Sequence, residues 1–295
     1  MALPSNDAAL PFPARPARTP PRNSCDCHCH VFGPYDTFPL EAERSYTPPE
    51  ASAQRYLGML DQLGMQRGVL VQASAHGLDN AAMLHALAVD SDRLRGVAVV
   101  PANTSFHALK TLRDQGVRGL RLSRLLDGNG SARYRNVVDI SALDALLPAM
   151  RQLDLHAQLW ITLDQLPRLA PVIRTAGIPF VIDHMGRSEP INGVADPHFA
   201  LMCELVAEGH LWVKLTPYRP SQRPPGYEDV RPLHEHLVRI NPQRLLWGSD
   251  WPHINLAAPP DAGRLLDLFF DWTADARARQ AILVDNPAAL YGFPG

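Results

Sequence analysis

His28 and His30 stand two residues apart at the end of the β-like run 26–32. On a strand, that spacing puts both imidazoles on one face. Two imidazoles inside a protein are costly to bury unless they meet a metal, an anion or hydrogen-bonding partners. A third, His184, follows the run 180–183, and Asp250 follows the run 245–248. A carboxylate at such a strand end can act as a general base on water or as a metal ligand. Each of these residues alone is often structural. Three histidines and one aspartate at corresponding strand ends are a set that can polarise a carbonyl and activate water. The same four supply enough ligands for one Zn2+.

Other polar side chains fall near the same strand ends. Arg121 lies on the run 117–122, with Arg124 just beyond it, and Arg219 lies in the proline-rich stretch 217–227. A guanidinium offers a planar pair of donors that suits a carboxylate. For Arg124 a surface salt bridge explains the residue nearly as well. Ser74 and His76 follow the run 68–72 and can line a mouth. No GxSxG frame surrounds Ser74, which argues against a serine-hydrolase elbow. Trp160 is a wall for a ring or a core tryptophan. His253 reads as a supporting partner of Asp250. Asp183 is expected to point away from His184, to orient a neighbour or cap a turn.

The elements that must position these groups alternate along the chain. Strand-like runs at 26–32, 68–72, 94–100, 117–122, 156–161, 180–183, 211–215 and 245–248 are separated by helix-like stretches. Those stretches are 47–64, 80–89, 105–115, 140–153, 163–176, 199–208 and 231–238, with 263–273 and 276–284 closing the chain. Thr47 is expected to cap the first helix and Gly64 to end it. Eight alternations predict a (β/α)8 TIM barrel, in which functional groups collect at the C-terminal ends of the strands. An open doubly wound sheet often carries a Gly-rich first loop, and none occurs here. The expected organisation is a flexible Pro/Arg-rich tail over 1–23 and one catalytic barrel over 24–295.

A formal net charge of -2 suggests neither a nucleic-acid surface nor a basic membrane patch. No apolar run approaches twenty residues, and the first 22 lack the apolar core of a secretory signal. Cys25, Cys27 and Cys29 alternate, so they are expected to share one face and pack, reduced, behind the first strand. These features point to a cytoplasmic protein, and they leave open whether it forms a homodimer.

Several separated motifs carry a resemblance. They are Asp26-Cys27-His28-Cys29-His30-Val31-Phe32-Gly33-Pro34, Glu43-Arg44-Ser45-Tyr46-Thr47-Pro48, Val71-Gln72-Ala73-Ser74-Ala75-His76-Gly77 and Val117-Arg118-Gly119-Leu120-Arg121. Asp183-His184-Met185-Gly186-Arg187, the stretch from Leu246 to His253, and Asp285-Asn286-Pro287 complete them. Over 26–291 the chain resembles the amidohydrolase superfamily. It is most similar there to the subgroup of 2-pyrone-4,6-dicarboxylate hydrolase, 4-sulfomuconolactone hydrolase and sugar-acid lactonases. The resemblance implies that Asp250 activates water and that His28, His30 and His184 bind and polarise a lactone carbonyl. It also implies that Arg121 holds a substrate carboxylate, with Arg124 and Arg219 near positions of the same task and His76 matching the strand-two histidine.

The implied activity is hydrolysis of a small carboxylated lactone without a cofactor. Alternatives are a mononuclear zinc-dependent decarboxylase of an aromatic or muconate-type acid, a sugar-acid lactone isomerase, and a binding protein without turnover. The ligand count alone favours one Zn2+. Two departures matter. Strands four and five lack the bridging lysine and the histidine of binuclear members, and Trp160 replaces a tyrosine of the pyrone hydrolase.

Overall fold

The structure, a computed structural model, describes residues 10–126, 129–256 and 258–294. Eight parallel strands form one sheet in sequential order: β1 (Cys25–Cys29), β2 (Arg67–Val71), β3 (Leu94–Ala98), β4 (Val117–Ser123), β5 (His156–Trp160), β6 (Phe180–Ile182), β7 (Leu211–Leu215) and β8 (Leu245–Trp247). Helices α1 (Ala53–Leu63), α2 (Ala81–Val89), α3 (Phe106–Asp114), α4 (Leu143–Gln152), α5 (Leu166–Thr175), α6 (Pro197–Ala207), α7 (Arg231–Ile240) and α8 (Ala262–Trp272) each follow their strand. This is the expected (β/α)8 barrel. Each pair from β1–β2 to β7–β8 is joined by a parallel ladder. Between β8 and β1 the described residues make only an isolated bridge, Cys29 with Trp251. Closure there rests on His30 N donating to Trp251 O at 2.8 Å and Asp250 N donating to His28 O at 2.7 Å.

The apolar pattern of the helices explains their seat on the barrel. On α8 the buried Leu265, Leu266, Phe269 and Phe270 face the strands, each burial stabilising by roughly 1.5–3 kcal/mol. Ser52, Ser105, Asp196 and Asp261 cap α1, α3, α6 and α8 through their side-chain oxygens. Thus α1 begins six residues later than its apolar spacing suggested, because Ser52, not Thr47, supplies the cap. The intervening stretch is extended, with Ala51 bridged to Phe32. Gly64 ends α1 in the left-handed conformation, as expected.

The three cysteines do not share a face. Asp26 pairs with Gly68 and Cys29 with Leu70, so β1 carries one extra residue between them. This bulge breaks the alternation. Cys25 and Cys27 pack with Val69, Val71, Val97, Val181, Leu246 and Tyr291 in the barrel floor, whereas Cys29 joins the layer under the helices. All four cysteines are free.

The described part of the N-terminal segment, 10–23, has no helix or strand and lies across α1 and α8. Arg55 covers the Phe12 ring at 3.7 Å, and Ala14 N donates to Asp261 Oδ2 at 2.8 Å. Residues 1–9 of the expected tail lie outside the described residues. No described helix is long and apolar enough to cross a membrane.

Candidate active site

His28, within the bulge, and His30, beyond it, both point into the barrel mouth. They meet Asp250 across the β8–β1 seam: His30 Nε2 is 3.3 Å and His28 Nε2 3.6 Å from Asp250 Oδ1. The strands approach closely here. A Cβ on Gly248 would lie 2.7 Å from His28 Cβ, so the chain just past β8 needs glycine at that point. Asp250 has a left-handed φ of 58°. The turn directs its carboxylate inward, where Tyr218 Oη donates to Oδ2 at 2.5 Å and Arg219 Nε at 2.6 Å. Burial alone would raise the Asp250 pKa, but Arg219 and the neighbouring histidines outweigh it and hold the carboxyl well below its usual range.

His184 Nε2 lies 3.9 Å from Asp250 Oδ2. The histidine follows β6 with φ 52°, as do Met185 and Gly186 at 55° and 62°. That left-handed run breaks strand parity. Asp183 therefore does not point away, as alternation had suggested. It lies in the barrel interior 3.2 Å from His28 Nδ1, 3.0 Å from Arg121 Nη2 and 3.5 Å from Lys214 Nζ. Lys214 also donates to Gln158 Oε1 at 2.7 Å and lies 3.3 Å from His28 Nδ1. Burial lowers the Lys214 pKa; burial of His28 itself, and then the Lys214 charge beside it, push the imidazole down to about 3. His28 is neutral at neutral pH.

The tautomers follow from the partners. His30 Nδ1 is 2.7 Å from Val71 O, so that nitrogen carries the hydrogen. Nε2 then faces the Asp250 carboxylate, as a donor when it too carries a hydrogen and as a lone pair when it does not. At 3.3 Å the two atoms can share a proton or a cation, but no water fits between them.

The pocket above this cluster is lined by His30, Arg121, Trp160, His184, Arg219 and Asp250, as the sequence suggested, and also by Tyr46, Tyr134, Arg187, Ile254 and Asn255. The Trp160 ring has Arg121 over it at 4.2 Å and Tyr134 stacked on it at 4.6 Å. Four expected residues stand elsewhere. Arg124 faces outward, bound to Asp139 at 2.5 and 2.9 Å. His76 stacks on Phe32 at 5.8 Å and contacts Pro39 O, while Ser74 Oγ reaches Tyr46 Oη at 3.4 Å. His253 lies behind Asp250, against Ser249 O and the Tyr218 ring. Of these, Ser74 and His253 contact residues of the site without lining the pocket.

Sequence reading gave no role to Lys214, Gln158, Tyr134 or Arg187. For Lys214 a signal was present: a lysine in the middle of the otherwise apolar Leu211–Leu215 must be buried and paired.

The donor set also fits a divalent ion. Nitrogens of His28 and His30 and an oxygen of Asp250 lie within 4.8 Å of one another, as do ligand atoms of His28, Asp183 and His184. His28 Nε2 and Asp250 Oδ1 are buried without a hydrogen bond. Imidazole and carboxylate in this number are ordinary zinc ligands.

Comparison with known proteins agrees with this geometry. The amidohydrolase family pattern matches residues 25–293. The chain is 36% identical to 4-sulfomuconolactone hydrolase of Rhizobium radiobacter, covering 98% of this chain and 99% of that protein. It is also 36% identical to 2-pyrone-4,6-dicarboxylate hydrolase of Comamonas testosteroni, covering 95% and 93%. A crystal structure of a probable 2-pyrone-4,6-dicarboxylic acid hydrolase from Acinetobacter baumannii, with citric acid bound, superposes with a TM-score of 0.79 at 30% identity, covering 92% of this chain and 100% of that one.

Proposed function

The chain belongs to the amidohydrolase family, and from that premise we propose that it opens the ester bond of a small carboxylated lactone with water activated by Asp250. The observation that carries this reading is the facing pair His30 Nε2 and Asp250 Oδ1, 3.3 Å apart at the floor of an arginine-rimmed pocket. A water donating to Oδ1 is activated there. It attacks the lactone carbonyl and its proton passes to Asp250. His28 Nδ1 stands between Lys214 Nζ at 3.3 Å and Asp183 Oδ1 at 3.2 Å, and in the tautomer this step uses it accepts from Lys214 and carries its hydrogen on Nε2. His28 and His184 then face the oxygen on which negative charge develops. When the tetrahedral species collapses, the ring C–O bond breaks and Asp250 returns the proton to the leaving oxygen.

The anionic groups of the substrate are assigned to arginines with unequal freedom. Arg121 already serves Asp183, and Arg219 serves Asp250. Arg187 lines the pocket and makes no ion pair or hydrogen bond among the described residues, and burial lowers its pKa. It is the guanidinium ready to receive a carboxylate or sulfonate. The aromatic pair Trp160–Tyr134 forms the wall for the ring. The relatives named for 4-sulfomuconolactone and 2-pyrone-4,6-dicarboxylate make these the first substrates to test.

We read the reaction as metal-free. Lys214 and Arg121 pair with Asp183, Arg219 pairs with Asp250, and Arg187 lines the pocket beside them, so cations already exceed carboxylates before any ion is added. Were a divalent ion resident, His28, His30, His184 and Asp250 would hold it, and it would supply Lewis-acid polarisation of the carbonyl. The four free cysteines agree with a reducing, cytoplasmic setting.

Metal content and lactone hydrolysis measured on one preparation, purified without chelator or added metal, test this reading. Turnover with well under one metal per chain is expected, and Asp250→Asn should lose it by roughly 100-fold or more. About one zinc per chain, with turnover lost on its removal, rejects the metal-free reading. Release of carbon dioxide without ring opening rejects the lactonase.

A further inference from the structure

The base and two of its histidine partners stand on opposite sides of the one barrel junction that, among the described residues, has no ladder. His28 and His30 belong to β1 and its extension, and Asp250 follows β8. Two backbone hydrogen bonds and one bridge span this seam. Something else must set its width, because that width is the spacing of the reacting groups.

Asp26 is placed for this. It lies just before the bulge and faces the helix layer, fully buried. Its carboxylate accepts from Ser249 N at 2.8 Å and Ser249 Oγ at 2.6 Å, from His28 N at 3.2 Å and from Tyr56 Oη at 3.2 Å. Ser249 Oγ in turn accepts from Trp251 N at 3.0 Å. One carboxylate thus grips the backbone on both sides of the seam, at His28 and at the residue next to Asp250. The Tyr56 hydroxyl adds α1 as a third anchor. Neither Asp26, Ser249 nor Tyr56 lines the substrate pocket. A buried carboxylate is expensive to desolvate, and a purely structural seam could be filled by apolar side chains.

We propose that Asp26 and Ser249 are positioning residues, a clasp that fixes Asp250 against His28 and His30 across the open seam. This rests on the assignment of Asp250 as the base. The clasp acts on the distance between reacting groups and not on substrate affinity, since the pocket's arginines stand on other elements or beyond the gripped residues. Loss of the clasp should therefore lower kcat and leave KM nearly unchanged.

Ser249→Ala removes one hydroxyl and keeps the backbone donor to Asp26. With a lactone that the native protein opens, kcat is expected to fall about 10- to 100-fold, the range a small misplacement of reacting groups produces. KM should stay within about twofold, and Ser249→Thr, which retains the hydroxyl, should recover much of the rate. A crystal structure of Ser249→Ala should show the Asp250–His30 separation lengthened beyond 3.3 Å. Unchanged kcat, an unchanged separation, or a variant that simply fails to fold would each overturn the clasp, reducing it to a stability feature. Native protein run in parallel separates the two ideas: if it opens no lactone, the functional reading fails, while the crystallographic separation still decides the clasp.

Discussion

Arg187 and Arg124 show how far residue type alone can be carried. Both are arginines near a strand end, and a guanidinium suits a carboxylate in either place. Only the structure distinguishes them. Arg124 holds Asp139 with both side chains partly in solvent, a pair worth about 1 kcal/mol or less. Arg187 lines the pocket and makes no ion pair among the described residues. Arg187→Met is therefore expected to raise KM for a di-anionic lactone roughly 10- to 100-fold, the loss of one charge-assisted contact, with kcat less affected. Arg124→Met should change KM by less than about twofold. Steady-state kinetics on the pair checks both, and equal effects would mean that the pocket binds its anion elsewhere. The central histidines and Asp250 were legible because their chemistry is scarce and their positions recur at strand ends. The direction of Asp183 was not legible, because four successive left-handed residues, His184 to Arg187, undo the alternation that would set it.

At the level of elements, all eight strands and the helices that separate them could be read from apolar runs and caps, because the strands are buried along their length, with Arg118 of β4 the one partly exposed residue. Loops were not legible, since no periodicity governs them. The connection from β4 to α4 brings Tyr134 onto Trp160, and it is tied to the loop after β1. Arg135 N donates to Ser45 Oγ at 2.8 Å, Asn136 Nδ2 donates to Glu43 O at 3.0 Å, and Tyr46 meets Tyr134 edge-on at 6.2 Å. Two loops thus close one side of the mouth, and Tyr134 is the part that would touch a ring. Tyr134→Ala should raise KM about two- to tenfold, the value of one aromatic stacking contact. The loop lies outside the barrel core, so the melting temperature should hardly move. A KM that stays fixed would show that the loop covers the site without contacting substrate.

The whole molecule buries imidazoles far from its chemistry as well, and this gives it a pH dependence separate from catalysis. His234 sits between α7 and α8, with Nε2 2.8 Å from Thr273 Oγ1 and its ring edge-on to Phe269 and Trp272. Burial, with Arg231 nearby, pushes its pKa down to about 3, whereas in the unfolded chain it titrates near 6.5. Above about pH 6.5 neither state carries the proton, and stability is complete. Below that value the unfolded chain takes it up and the folded protein does not, so stability falls as pH drops from about 6.5 towards 3. The limiting slope is about 1.4 kcal/mol per pH unit for each such histidine. His156, in the barrel interior, is depressed to about 3 in the same way. Asp26 acts in the opposite sense. Burial raises it to about 6, so below that pH it protonates first in the folded state and offsets about one histidine. Total stability against pH is therefore a poor test, and the difference between native protein and His234→Gln is a clean one. Urea unfolding at pH 7, 6 and 5 should give curves that converge or cross as pH falls, with the variant losing less stability per unit. Parallel curves would mean that His234 gains its proton in the folded protein as readily as in the unfolded chain, and that its burial between α7 and α8 opens at acid pH.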